Sequence, residues 1–292
     1  MFELVQAAKN TYYIECPAKI GIYRLTGNEV ILIDSGNDKE AGRKVLKIIN
    51  ENDWSIQAII NTHSNADHIG GNRFLADRTG CKIYAKGIER AFCEFPILEP
   101  AFLFGAFPGR HLRHKFLLAE PSRVNNLEDF VLPPGMEVFP LKGHFFDMIG
   151  IKTPDNVVFL ADCVFSEAVL KKYPVSFVYD VAEFLKTLDF IETLDGETFI
   201  PAHTDTVKDI RPLAEVNRRV VTEIIGSIGQ ICQKPLAFEA ILKEVFDKYD
   251  IKLDISQYAL AGSTIRSYLS YMADNDILDM EVRDNTLFWK KP

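Results

Sequence analysis

The run Asn61-Thr62-His63-Ser64-Asn65-Ala66-Asp67-His68-Ile69-Gly70-Gly71 places four potential metal donors, His63, Asn65, Asp67 and His68, within six residues. Spacing this short cannot put all four on one face of a strand, where side chains alternate, or on one face of a helix. They converge only from a loop, and loops at strand ends are where metal-binding and catalytic residues collect. Imidazole nitrogen and carboxylate oxygen are donors suited to zinc, iron or manganese. Three further polar residues follow apolar runs in the same manner. His144 follows 136–142, Asp162 closes VVFLAD (157–162) and His203 closes TFIPAH (198–203). Any one of them alone reads as a capping or satisfied polar group. The repetition, which uses four of the six histidines, points to one shared centre.

Two neighbouring features carry less. His111 and His114, in Gly-Arg-His-Leu-Arg-His, are spaced to share a helix face as an extra donor pair. With Arg110, Arg113 and Lys115 they read more simply as a basic rim, which would attract an anionic substrate. Cys163 adjoins Asp162, but consecutive strand residues point to opposite faces, so it reads as a core thiol.

The elements that must position these residues are legible as alternating strands and helices. TYYIE (11–15), KIGIYRL (19–25), EVILID (29–34), QAIINT (57–62) and KIYA (82–85) are β-branched and aromatic runs punctuated by turn residues. Residues 38–50 have helical spacing, with Ala41, Val45, Leu46 and Ile49 on one face, and a short helix follows the His-rich loop over 70–79. From 88 to 130 the pattern weakens into an insertion of irregular loops or short helices, whose Phe-rich part (95–109) suits either a pocket wall or the core. Strand patterns return at 136–143, 149–153, 157–162 and 198–203. Helices are predicted over 181–194, with Asp180 as N-cap, and over 206–230, with Pro212 in the first part. Helices at 236–250 and 264–278, then a hairpin at 279–291 about Asp284-Asn285, follow the order of a winged helix. The predicted division is therefore 1–230 and 231–292.

The arrangement resembles the metallo-β-lactamase superfamily over about residues 10–205, with the glyoxalase II-like hydrolases as the nearest pattern. Its signature is HxHxDH on a loop, then a Gly-His, an Asp and a distant His, and ILIDSG (31–36) looks like its Asp-x-Gly turn. The resemblance implies an α/β fold, a four-layer αββα sandwich with the metal centre at one edge, here followed by a small winged-helix-like C-terminal domain. It also implies roles. His63, Asn65 and His144 would bind one metal, and Asp67, His68 and His203 a second. Asp162 would bridge them, and Asp34 would sit behind the loop. One or two divalent ions are expected, zinc first, with iron or manganese as alternatives. A metal-bound hydroxide would attack an ester, thioester, lactone or similar bond, with Asp67 orienting the nucleophile and carrying a proton to the leaving group. The departure is Asn65, where the family usually has His. An amide oxygen is a weaker, harder donor to zinc, so the first site is either weakened or empty.

The whole-chain arithmetic narrows the partners. In 292 residues, 33 Lys and Arg face 41 Asp and Glu, a net charge of −8. An acidic chain argues against dedicated nucleic-acid binding, and so against the phosphodiesterase reading. The tail carries eight Lys/Arg against ten Asp/Glu, and its presumed recognition helix offers only Arg266. A structural, dimerising or pocket-covering role suits it better than DNA recognition, so a homodimer is one expectation. Five scattered cysteines without a CxxC, a start without signal-peptide character and no long apolar window predict a cytoplasmic protein with reduced thiols and no membrane span. The expected partner is a small-molecule substrate. The rival to an enzyme is a non-catalytic metal-binding or regulatory module that keeps the fold, a reading that rests on Asn65.

Overall fold

The computed structural model describes residues 2–292. The first sheet takes its strands in chain order: β1 (Glu3–Gln6), β2 (Thr11–Glu15), β3 (Ile20–Arg24), β4 (Glu29–Ile33), β5 (Ser55–Ile60), β6 (Lys82–Ala85) and β7 (Asn125–Asn126). Its first four strands pair antiparallel, and β4 to β7 run parallel. Helices α1 (Lys39–Glu51), α2 (Ala66–Ile69) and α3 (Asn72–Thr79) fill the crossovers. The second sheet is β11-β10-β9-β8, built from β8 (Glu137–Pro140), β9 (Ile149–Lys152), β10 (Val157–Ala161) and β11 (Thr198–Pro201).

Alternation along the strands dictates the layering. In β4, Val30 and Leu32 pack on Val45 and Ile49 of α1, while Ile31 and Ile33 turn the other way to meet Phe159 and Ile200 of the second sheet. In β10, Val157 and Phe159 face that shared interior. Val158 and Leu160 face outward onto Phe184 and Leu188 of α7 (Val181–Ile191). These two strands thus bury both faces, and the result is four layers, αββα. Parallel β4–β5 and β10–β11 send their C-terminal ends to one edge of the sandwich, where the polar residues collect.

The insertion forms the short helices α4 (Glu89–Glu94) and α5 (Leu98–Phe104) and a 3₁₀ turn at Arg110–Leu112. After α6 (Glu167–Lys172) and α7, the long α8 (Arg211–Ile231) carries Pro212 in its first turn. Beyond it lie β12 (Leu236–Ala237), α9 (Phe238–Lys248), α10 (Ile255–Asp274), β13 (Asp279–Arg283) and β14 (Thr286–Lys290), with a small antiparallel sheet ordered β12-β14-β13. The hairpin turns on Asp284 (φ 51°) and Asn285 (φ 58°), both left-handed as a two-residue turn of this kind requires.

Most predicted elements lie within a few residues of the observed ones. The helix read as 264–278 begins instead at Ile255, its N-terminus capped by the Asp254 carboxylate accepting from Gln257 N–H at 2.7 Å. Its first turns carry small residues with little periodic contrast, but Ala259 is buried against Leu103 and Leu112 of the insertion. Tail residues Ile241, Tyr268 and Trp289 share one hydrophobic cluster with Phe145 and Phe184. β1, α2 and α6 are too short to show a period in sequence. Among the described residues no helix is long and apolar enough to cross a membrane.

Candidate metal centre

Strand β5 ends at Ile60, and the chain then turns across the sandwich edge. His63 and Asn65 lie on the loop, and Asp67 and His68 on the single turn of α2. Gly70 and Gly71 have ordinary right-handed dihedrals, so their service is space rather than turning. A Cβ on Gly70 would stand 2.3 Å from the Asn37 carbonyl, and one on Gly71 2.3 Å from the Ser35 carbonyl oxygen. This close approach lets Ser35 N–H donate to the His68 carbonyl at 2.8 Å. Gly143 does need its conformation: its φ is +115°, and a Cβ there would lie 2.2 Å from Phe184 N. Ala161, left-handed at φ 49° beside a register shift in β10, turns the chain so that Asp162 faces the edge.

These elements bring together all seven residues singled out in the sequence. The donor atoms of His63, His144 and Asp162 lie within 4.8 Å of one another, and so do those of Asp67, His68 and His203. Asp162 stands between the groups: Oδ1 is 3.1 Å from His68 Nε2, and Oδ2 is 3.1 Å from His203 Nε2 and 3.6 Å from His144 Nε2. Asn65 Oδ1 is 3.1 Å from His144 Nε2. His111 and His114 are not part of this convergence. His111 is exposed on the 3₁₀ turn, and His114 lies 3.4 Å from Ser256 Oγ on α10. Cys163 is fully buried in the core.

The surroundings fix the imidazoles. His68 Nδ1 donates to Asp34 Oδ2 at 2.8 Å, His144 Nδ1 to the Phe177 carbonyl at 3.1 Å and His203 Nδ1 to the Pro17 carbonyl at 2.8 Å. Thr62 Oγ1 donates to Asp34 Oδ2 at 2.7 Å, leaving its oxygen to accept from His63 Nδ1 at 3.1 Å. Each ring therefore turns Nε2 to the centre, the arrangement in which a second ligand sphere prepares metal-binding histidines. Of the atoms so aimed, His63 Nε2 is buried without a hydrogen-bond partner, and His68 Nε2 and Asp162 Oδ1 have only each other, 3.1 Å apart and poorly aligned. Buried polar atoms are seldom left unpaired. Nitrogen and oxygen donors orphaned around one point fit one or two divalent cations.

The electrostatics agree. Burial drives His63 and His144 below the usual histidine range, so both are neutral donors. Burial also opposes charge on His68 and His203, but the carboxylates of Asp162 and Asp67 outweigh it, lifting His68 well above its ordinary value and His203 to about 10. Conversely Asp162 stays ionised despite burial, and Asp67 despite partial desolvation, because His68 and His203 hold both below the carboxylate range. This half of the site calls for positive charge.

Three supporting residues escape the sequence reading. Thr62 relays Asp34 to His63. Glu89 of α4, fully buried, accepts from Ser64 N–H and from Asp147 N–H, tying the ligand loop to the segment after His144. Glu99 of α5 accepts from Asn65 Nδ2 at 2.9 Å. A signal did exist: Glu99 is the sole charge in the apolar run 95–109. The Phe-rich segment lines a cavity against α10, not the one at the ligands. That one, about 1030 Å³, holds His144, Asp162 and His203, with Phe165, Phe177 and Tyr249 as walls and Lys171, Lys172 and Lys252 about it.

Two facing sheets between helices define an αββα protein, with a His/Asp centre that could hold metal at the edge where β5, β10 and β11 end. The chain belongs to the metallo-beta-lactamase superfamily, which it matches over residues 13–203. Its fold is similar to that of a beta-lactamase domain protein from Burkholderia ambifaria (TM-score 0.77, 18% identity, 99% of this chain and 94% of that one). It also resembles a metallo-beta-lactamase family protein from Thermus thermophilus (TM-score 0.68, 16% identity, 100% and 98%). A metallo-beta-lactamase from Pontibacter korlensis matches over 75% of this chain and 98% of its own (TM-score 0.57, 15% identity). The first two likenesses extend through the C-terminal elements. Members of the superfamily are typically metal-dependent hydrolases.

Proposed function

We propose that this chain hydrolyses an ester, thioester, lactone or similar bond in a small molecule, using one or two divalent ions, zinc first. The observation that carries the reading is the aim of four imidazoles and Asp162 at one point, with Nδ1 of every ring engaged from behind. His63, Asn65, His144 and Asp162 would hold one ion, and Asp67, His68, Asp162 and His203 the other. A bound divalent ion supplies Lewis acidity, which polarises a carbonyl and makes water a competent nucleophile near neutral pH. Asp67 is more open to solvent than the histidines and Asp162, its side chain 37% exposed, and its Oδ2 lies 3.3 Å from His203 Nε2. That position suits it to orient the attacking water and to carry a proton to the leaving group. All five cysteines are free and buried, so none offers a competing nucleophile, and their reduced state fits a cytoplasmic protein. The aromatic walls suit an apolar acyl portion, and the lysines favour a substrate that also carries negative charge. Tyr249 and Lys252 line the same cavity, which supports a pocket-covering role for the tail.

The test is metal content of the chain purified without chelator, followed by turnover of ester, thioester and lactone panels. One or two ions per chain, with turnover abolished by Asp162→Ala, is the expected result. No bound metal after supplementation with zinc or manganese overturns the reading and favours a binding module.

A further inference from the structure

Asn65 stands where the superfamily pattern has a histidine, and the structure gives its amide a fixed orientation. An amide is two-faced, with donors at one end and an acceptor at the other. The donor end, Nδ2, gives its hydrogen bond to Glu99 Oε1 at 2.9 Å. Glu99 is 5% exposed. The acceptor end, Oδ1, is thereby turned toward His144 Nε2, 3.1 Å away. His144 has its Nδ1–H committed to the Phe177 carbonyl, so Nε2 carries a lone pair. Two lone pairs thus meet beside the unpartnered Nε2 of His63. Acceptors do not satisfy one another, but a cation between them satisfies all three.

We propose that Glu99 is a positioning residue, which orients the Asn65 amide so that Oδ1 completes a three-protein-sidechain face with His63 and His144 in the first metal site. The inference rests on the metal-dependent reading above. An insertion outside the usual ligand motifs then restores a donor that the motif itself lacks. The restored donor is a neutral carbonyl oxygen, weaker toward zinc than imidazole, so the two sites fill in order. The site of Asp67, His68, Asp162 and His203 loads first, and that of His63, Asn65, His144 and Asp162 second. The reverse orientation, with a protonated Glu99 donating to Oδ1 and Nδ2 turned to His144, would close the first site to metal.

The experiment is a zinc titration of the full-length, chelator-stripped chain against a chromophoric chelator, with circular dichroism to show that each variant is folded. The wild type is expected to bind in two resolved steps. Glu99→Ala should weaken the second step by roughly 10–100-fold, the usual effect of removing a ligand's supporting partner, and leave the first within threefold. Glu99→Leu, which keeps the buried volume, serves the same purpose should the alanine variant not fold. Glu99→Gln retains an acceptor oxygen and should restore most of the second step. Asn65→Ala should lose that step too, and adding Glu99→Leu to it should change nothing further. A single step in the wild type, a second step unaffected by Glu99→Leu, or a further loss in the double variant overturns the proposal, though the hydrolase reading survives each of these. Binding of no zinc at all overturns that reading as well.

Discussion

Replacing Asp34 by Asn exchanges one oxygen for an NH2 group, at the point that governs two ligands. Asp34 Oδ2 accepts from His68 Nδ1 at 2.8 Å and from Thr62 Oγ1 at 2.7 Å, and Oδ1 accepts from Thr62 N–H at 2.8 Å. With Nε2 of His68 given to a metal, the ring proton must sit on Nδ1. In the variant either that proton points at the amide NH2, or the amide flips and sets its NH2 against the Thr62 N–H, donor against donor in both cases. The first orientation leaves His68 only the other tautomer, which puts the proton on the coordinating nitrogen, and the second loosens the loop that carries the ligands. Loss of such a partner costs roughly 10–100-fold in metal affinity. The effect reaches His63 only through Thr62 and should be smaller there. The backbone is not the cause of any loss, because the φ of 66° at Asp34 suits Asn equally. Exchanging charge-assisted hydrogen bonds for neutral ones should also cost about 1–3 kcal/mol of stability. Zinc titration reads the affinity, and nitrogen NMR of the imidazoles reads the tautomer. An Asp34→Asn chain that binds zinc in the second site as the wild type does, with His68 still protonated on Nδ1, would refute the reasoning.

Glu89 gives a pH prediction: burial pushes it up to about 7 from an ordinary 4.5, so the folded chain holds its proton more tightly than the unfolded one. The favourable contribution is then complete below pH 4.5 and lost as pH rises through 7, a change of about 3 kcal/mol. Denaturant unfolding of the wild type and Glu89→Gln at pH 4.5 and 8 should show their difference change by that amount, and a constant difference would exclude it. Gly143→Ala forces a Cβ to within 2.2 Å of Phe184 N at a left-handed φ, and should cost roughly 3–5 kcal/mol while displacing His144; a loss under 1 kcal/mol in a urea melt would contradict the packing. Reversing the charge of Lys171, Lys172 and Lys252 together should raise KM for an anionic substrate about tenfold or more and leave its neutral analogue unchanged, whereas equal effects on both would remove the lysines from recognition. Asn285→Gly relieves a residue at φ 58° and should stabilise the hairpin by about 0.5 kcal/mol, visible as a raised urea midpoint.

The ligand types and spacing were legible because they are local. A loop dense with donors, and polar residues closing apolar strands at 144, 162 and 203, can be read one segment at a time. The layers were legible for the same reason, since Val30, Ile31, Leu32 and Ile33 are apolar on both faces and so belong to a strand covered twice. The start of α10 was not legible, because Ala259 gains its burial from Leu103 and Leu112, far away in the chain. Nor was the wall of the cavity at the His/Asp centre: the Phe-rich insertion, which suited either a pocket wall or the core, lines a different cavity, and residues about 165–177 and 249–260 line this one.

By itself, then, the sequence determined which atoms could bind metal and which strands would deliver them, because periodicity and donor chemistry are properties of neighbours. Which nitrogen of His68, His144 and His203 faces the centre, and which end of the Asn65 amide, only the tertiary structure decided. Those choices belong to Asp34, Phe177, Pro17 and Glu99, partners 34, 33, 186 and 34 residues away from the side chains they hold. A proton or an amide takes its orientation from whatever acceptor folding places beside it.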